Sequence, residues 1–231
     1  MFLDILTQNL HQSITRYPEV LKYLESRKVT TDDIKKYGLG FNKIIRVPEE
    51  DSPDHNRFMA ECDKGRKYEN RIVFPLRDML GNVVGLVGRS IEVKDYKIWA
   101  TNVAKESGFF FGLDVALPHV YTENKVFTVE GTFDSVAFAK VFPNTIGTLT
   151  SGMNELQYAL LNLFCDTIIT VFDSDGPGQR GTDKALERFK GVCSVNLGYK
   201  DPASIIERMG PEKFRSYILK RVNDRYPLFL K

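Results

Sequence analysis

The sequence predicts an α/β fold: an α+β amino-terminal part carrying a basic β-hairpin, followed by an α/β part built on a mostly parallel sheet. Three observations carry this. From Val126 onward, short apolar runs alternate with helical patterns four times, the arrangement that sets parallel strands between flanking helices. Upstream, two runs rich in β-branched residues flank Gly81-Asn82, a hairpin signal. Before them, residues 1–40 repeat apolar positions at helical spacing. The expected division is residues 1–120, residues 121–210, and a terminal helix and tail over 211–231.

In the first part, Leu3, Leu6, Leu10 and Ile14 mark one helix, and Val20, Leu21 and Leu24 mark a second after Pro18. Thr31-Asp-Asp-Ile opens a third that Gly38 closes. Residues 42–63, with Pro48, Pro53 and mixed charge, read as loop or short strands. The hairpin runs Arg71-Ile-Val-Phe-Pro-Leu-Arg-Asp, then Gly81-Asn82, then Val83-Val-Gly-Leu-Val-Gly-Arg89. Pro75 inside the first run predicts an edge position or a bulge, since proline cannot donate to a ladder.

In the second part, strands are expected at 126–130, 145–149, 167–172 and 192–197. The helices between and after them are expected at 132–142, 154–164, 181–190 and 202–209, with a last one over 211–222. Val126-Phe-Thr-Val is apolar or β-branched and ends on Glu130, after which Gly131 breaks the run and Asp134 falls in the first helical turn. Thr167–Phe172 repeats the design and ends on Asp173-Ser-Asp175-Gly-Pro-Gly. In open α/β sheets the chemistry gathers beyond the carboxyl ends of the strands. Side by side, these strands would bring Glu130, Asp173 and Asp175 together, with Asp201 at the end of the last unit able to join.

Clustered carboxylates repel unless a cation or shared protons neutralise them. All-oxygen ligation without nearby His or Cys points to a hard ion, Mg2+ or Mn2+, and so to phosphoryl or nucleotidyl chemistry. The stretch 173–178 also suits a turn that caps a helix.

Hydrophobic residues at 42% and charged residues at 27% are the proportions of an ordinary globular protein. No run approaches a membrane span and no signal peptide is evident at the start, so a cytoplasmic location is expected. Cys62, Cys165 and Cys193 are read as reduced, buried thiols. No Cys-x-x-Cys pair occurs and His11, His55 and His119 stand apart, so no zinc is expected in this chain. Between Lys64 and Lys105 nine basic residues face four acids, a net charge of +5. Tyr96, Trp99 and Phe109–Phe111 interleave with them, as on a platform for single-stranded nucleic acid, although the same aromatics also suit a core cluster.

Glu130-Gly-Thr-Phe-Asp134 followed by Asp173-Ser-Asp175 resembles the Toprim motif, shared by topoisomerases, bacterial-type primases and some nucleases. The hairpin strands, together with Phe111-Gly-Leu-Asp-Val-Ala116 and Thr31–Phe41, resemble the catalytic core of bacterial-type (DnaG-like) DNA primases over roughly residues 15–210. The resemblance implies template-directed synthesis of short RNA primers on single-stranded DNA, a metal-dependent nucleotidyl transfer. It implies Glu130 and Asp134 as catalytic residues and Glu130, Asp173, Asp175 and Asp201 as metal ligands. Arg71, Arg89, Lys97 and Lys105 are the basic residues implied at template and nucleotide.

Implied partners are a single-stranded DNA template and ribonucleoside triphosphates, with a replicative helicase and a separate zinc-binding module. The short, reduced form suggests a phage or mobile-element source. Two departures stand out: the family's Lys-Tyr-x-Asn element reads Lys97-Ile-Trp-Ala100, and Tyr199 replaces an acid. These departures support the alternative of a non-catalytic protein that binds DNA or a replisome partner, and the Toprim motif by itself also leaves a nuclease-like enzyme open.

Overall fold

A computed structural model describes residues 2–43, 49, 51–53, 55–56, 69–92, 98–100, 109–173, 175–198 and 202–226, with backbone alone at 2, 42, 98–100, 202 and 203. The chain divides into two compact units, Met1–Phe109 and Phe110–Lys231. Among the described residues no helix is long and apolar enough to cross a membrane.

The first unit opens with α1 (Phe2–Ser13), a 3-10 turn (Ile14–Arg16), α2 (Pro18–Ser26) and α3 (Thr31–Tyr37). Thr30 and Asp33 close a reciprocal capping box at the start of α3, satisfying donors that the first turn leaves orphaned. Gly38 ends the helix at φ 62, the left-handed conformation that glycine adopts without a Cβ penalty.

An antiparallel sheet follows in the order β1 (Gly40–Asn42), β2 (Arg71–Arg77), β3 (Val83–Ser90), β4 (Ile98–Ala100). Pro75 sits within β2, yet β1 reaches only Arg71–Val73, so the proline needs no donor on that side. The register also shifts between Leu76 and Arg77, beside the proline. The turn occupies Asp78–Asn82 and is wider than the Gly-Asn pair suggests, because the Asp78 carboxylate accepts from the backbone of Leu80 and Asn82. Leu3 and Leu10 of α1 pack on Val73, Val83 and Leu86, and the Asp4 carboxylate accepts the Val83 N–H at 3.0 Å.

The second unit alternates α4 (Leu113–Glu123), β5 (Lys125–Val129), α5 (Thr132–Ala139), β6 (Thr145–Gly147), α6 (Glu155–Leu161), β7 (Thr167–Thr170), α7 (Gly176–Arg188), β8 (Val192–Ser194), α8 (Pro202–Met209) and α9 (Pro211–Arg225). The four strands form a parallel sheet in the order β6-β5-β7-β8, as the alternation predicts.

The period of two along each strand sends neighbours to opposite faces. Phe127, Val129, Ile169 and Val171 pack with Phe138 of α5, Ile205 of α8 and Phe214 and Ile218 of α9. Val126, Ile146 and Ile168 pack with Ala116 and Val120 of α4, Leu161 of α6 and Ala185 of α7. Both faces are thus covered, which explains the near-continuous apolar runs in β5 and β7.

One boundary differs from expectation by a full turn. Helix α7 begins at Gly176, not residue 181. The Asp175 side chain caps it and Pro177 occupies its first turn, where the missing N–H costs nothing.

Candidate active site

The register of the parallel sheet places the ends of β5 and β7 next to each other. Thr128 pairs with Thr170, and the Val171 N–H continues the ladder onto the Thr128 carbonyl. Glu130 therefore leaves β5 beside the segment that carries Asp173, and the Asp173 N–H donates to Glu130 Oε1 at 3.0 Å. Asp175 stands two residues on, where its Oδ1 accepts the Gly178 N–H at 3.0 Å and caps α7.

Asp134 lies in the first turn of α5, whose positive dipole end favours an anion. A Cβ on Gly131 would meet Asp134 Oδ2 at 2.6 Å, so this carboxylate folds back over the glycine.

The Glu130 carboxyl is half-buried and raised above the usual carboxylate range. Burial is the main cause, the Asp173 N–H opposes it, and the Asp175 and Asp134 carboxylates raise it further. Glu130, Asp134 and Asp175 thus share one electrostatic neighbourhood, and Asp173 is bonded into it through its backbone.

Asp201 lies outside the described residues, as do Tyr199, Lys97 and Lys105. Among the described residues no three His, Cys, Asp or Glu side chains form a set that could hold a metal ion. Mutual repulsion at Glu130 nonetheless fits a site that a divalent cation would relieve, and its donors are hard oxygens.

In the first unit Arg71 is buried at 9% exposure and Arg89 is half-buried. They lie near one end of the hairpin, where Arg71 pairs with Ser90 and Ile72 with Arg89.

Two features of the site are absent from the sequence reading. The loop after β6 runs along Glu130, with the Leu149 N–H donating to the Glu130 carbonyl at 3.0 Å and Leu149 itself at φ 65. Gly178 packs against Glu130 and Asp173. The loop carries no sequence signal of this placement. Gly178 carries a weak one, a second glycine in a helix's first turn.

The comparisons with known proteins agree with this architecture. The family described as DNA primase catalytic core, N-terminal domain, matches residues 6–107, and the family described as Toprim-like matches residues 127–206. The DNA primase of Rickettsia prowazekii is 26% identical over 230 residues, covering 89% of this chain and 39% of that primase. The chain thus spans about two fifths of the length of that relative.

A structure of the Aquifex aeolicus primase zinc-binding and RNA polymerase domains shares 25% identity at TM-score 0.76, covering 95% of this chain and 60% of that one. A DnaG primase catalytic domain bound to single-stranded DNA shares the fold at TM-score 0.79 and 22% identity, covering 95% and 79%. By its two domains in tandem, the chain belongs with the DnaG-type primase cores: a primase catalytic-core N-terminal domain followed by a Toprim domain.

Proposed function

We propose that the chain synthesises short RNA primers on single-stranded DNA by metal-dependent nucleotidyl transfer. The observation that supports this most is the meeting of Glu130 with the Asp173–Asp175 segment at adjoining strand ends, in a chain whose other unit matches a primase core domain.

In the reaction the primer 3′-hydroxyl attacks the α-phosphorus of a ribonucleoside triphosphate and pyrophosphate leaves. Glu130 takes the hydroxyl proton; its raised pKa brings it closer to neutral pH, as suits a general base. Asp134 holds negative charge beside it and keeps its proton affinity high. Toprim-type primases work with divalent metal ions; here Glu130, Asp173, Asp175 and Asp201 would hold Mg2+ or Mn2+, and no zinc site is assigned to this chain. Bound metal supplies charge neutralisation at the triphosphate.

The template would rest on the amino-terminal unit through Arg89, Lys97 and Lys105; Arg71, expected among them, is only 9% exposed and belongs to the interior of that unit. The division of labour is a template-binding part over 1–120, a catalytic part over 121–210 and a helix and tail over 211–231, laid over the compact units Met1–Phe109 and Phe110–Lys231, so that α4 and α9 pack with the catalytic sheet. Ribonucleoside triphosphates are the substrates, with a replicative helicase and a separate zinc-binding module as partners in the host cytoplasm. The zinc-binding domain of the Aquifex aeolicus primase and the single-stranded DNA bound by the DnaG catalytic domain support the zinc-binding module and the template.

The test is to incubate the purified chain with single-stranded DNA, a short RNA primer, ribonucleotides and Mg2+ or Mn2+, then size the products. Lengthened RNA supports the reading. Shortened strands transfer it to a nuclease-like Toprim enzyme, and bound but unchanged strands to a DNA-binding protein without synthesis.

A further inference from the structure

We propose that Gly178 is a positioning residue that fixes Glu130, Asp173 and Asp175 relative to one another. It touches all three. Its N–H donates to Asp175 Oδ1 at 3.0 Å. A Cβ at this position would lie 2.2 Å from the Asp173 carbonyl oxygen and 2.5 Å from Glu130 Oε1. Gly178 is buried in the first turn of α7, and the Asp173 N–H closes the arrangement onto the same Glu130 oxygen.

Neither helix formation nor backbone geometry accounts for a glycine here. Glycine is among the poorest helix formers, and Gly178 is not one of the residues with positive φ. What remains is space. Contacts under 3.0 Å are essentially never made by real Cβ atoms, and both partners are anchored: one is main chain, the other is held by the Asp173 N–H. A methyl group would therefore lift the first turn of α7 off Asp173 and Glu130. Asp175 rides on that turn through its cap and would move with it.

The other glycines of α7 provide contrasts. A Cβ on Gly176 would meet only the end of the Arg180 side chain, at 3.2 Å. A Cβ on Gly181 would strike the Ser151 carbonyl oxygen at 1.7 Å, a harsher conflict, yet against the loop after β6 and not against the acids. Sensitivity to steric damage in α7 and sensitivity of the acids are thereby separable.

This inference rests on the assignment of the three acids to chemistry made above, and its deciding readout, amide exchange, does not depend on activity. Gly178→Ala should accelerate amide hydrogen exchange at Asp173 at least about tenfold, while the central β5 amides keep their protection and Gly176→Ala leaves Asp173 unchanged. The Mn2+-dependent rise in melting temperature should vanish in Gly178→Ala and persist in Gly176→Ala. Nucleotide addition should fall about a hundredfold in kcat with the nucleotide KM unchanged, the cost of an ångström-scale misplacement.

Wild-type exchange at Asp173 in folded Gly178→Ala overturns the inference, whatever the chain does with nucleotides. If wild type adds no nucleotide, the functional reading fails, while the exchange data still decide on Gly178. Should Gly178→Ala not fold, native-state exchange of the wild type decides: Gly178 and Asp173 amides that open as one unit support the proposal, and an Asp173 amide that exchanges independently of Gly178 overturns it.

Discussion

The Asp173 N–H and Glu130 Oε1 lie 3.0 Å apart, so the acid ending β5 is bonded to the main chain of the first acid after β7. That bond favours the orientation in which the carboxylate stays beside its neighbours. The carboxylate accepts one hydrogen bond while it faces the Asp175 and Asp134 charges and pays for its burial. Those opposing effects leave Glu130 raised, and the first prediction follows from that sign.

A carboxyl whose folded-state pKa is raised binds its proton more tightly in the native state. Its contribution to stability is complete below the unfolded-state value and is lost as pH rises through the folded-state value. Glu130→Gln removes the charge and keeps an oxygen for the Asp173 N–H. Its melting temperature should match wild type near about pH 4, below the raised value, and exceed it near about pH 7. Nucleotide addition should drop at least about a hundredfold, the usual share of a general base. A variant that melts below wild type at neutral pH contradicts the repulsion, and one that keeps wild-type synthesis removes Glu130 from the chemistry.

Asp175 carries two duties that substitution can separate. As the cap of α7 it accepts the Gly178 N–H; as a candidate ligand it contributes charge. Asn caps as well as Asp, whereas Ala costs about 1 kcal/mol at such a position. Asp175→Asn, which keeps the cap and relieves part of the repulsion at Glu130, should therefore hold or raise the metal-free melting temperature and lose the Mn2+-dependent rise, while Asp175→Ala should lose the cap as well as the rise. For wild type, metal at a hundredfold over Kd adds about 2.7 kcal/mol. An unaltered Mn2+ response in Asp175→Asn would exclude the residue as a ligand.

The described thiols should be inert in the native protein. Burial pushes Cys165 up to about 11 and Cys193 up to about 12, and the thiolate is the reactive species. Alkylation at neutral pH should track global unfolding at both positions. Labelling of either at a rate independent of denaturant would place a local opening around β7 or β8.

The sheet and its acids were legible because they follow from local pattern. Four alternations of apolar run and helical spacing give a parallel sheet, and an acid directly after an apolar run marks a strand's carboxyl end. Gly176-Pro-Gly178 was harder, since each of its residues favours a turn. Tertiary contact converts it into a helix start, with Asp175 as cap and the glycine tolerated for the space it leaves. Leu149 gave no signal at all, because its bond to the Glu130 carbonyl joins segments about twenty residues apart and depends on the β5–β6 register. Charge counting treated Arg71 and Arg89 alike, although their burial differs.

That difference makes the last prediction. Arg71 is 9% exposed and belongs to the interior of the amino-terminal unit, so Arg71→Ala should lower stability by on the order of 1–3 kcal/mol, as loss of a buried side chain does. Arg89 is half-buried on the neighbouring strand and leaves part of its side chain to solvent. If it meets template phosphate, Arg89→Ala should reduce the slope of log affinity against log salt by about 0.7 for single-stranded DNA, with a smaller change in melting temperature than Arg71→Ala. If it meets the triphosphate instead, the DNA slope stays and the nucleotide KM rises. Affinity measured at several salt concentrations, with nucleotide kinetics on the same preparations, separates the two. An Arg89→Ala protein with wild-type slope and wild-type KM would move the template surface away from this end of the hairpin.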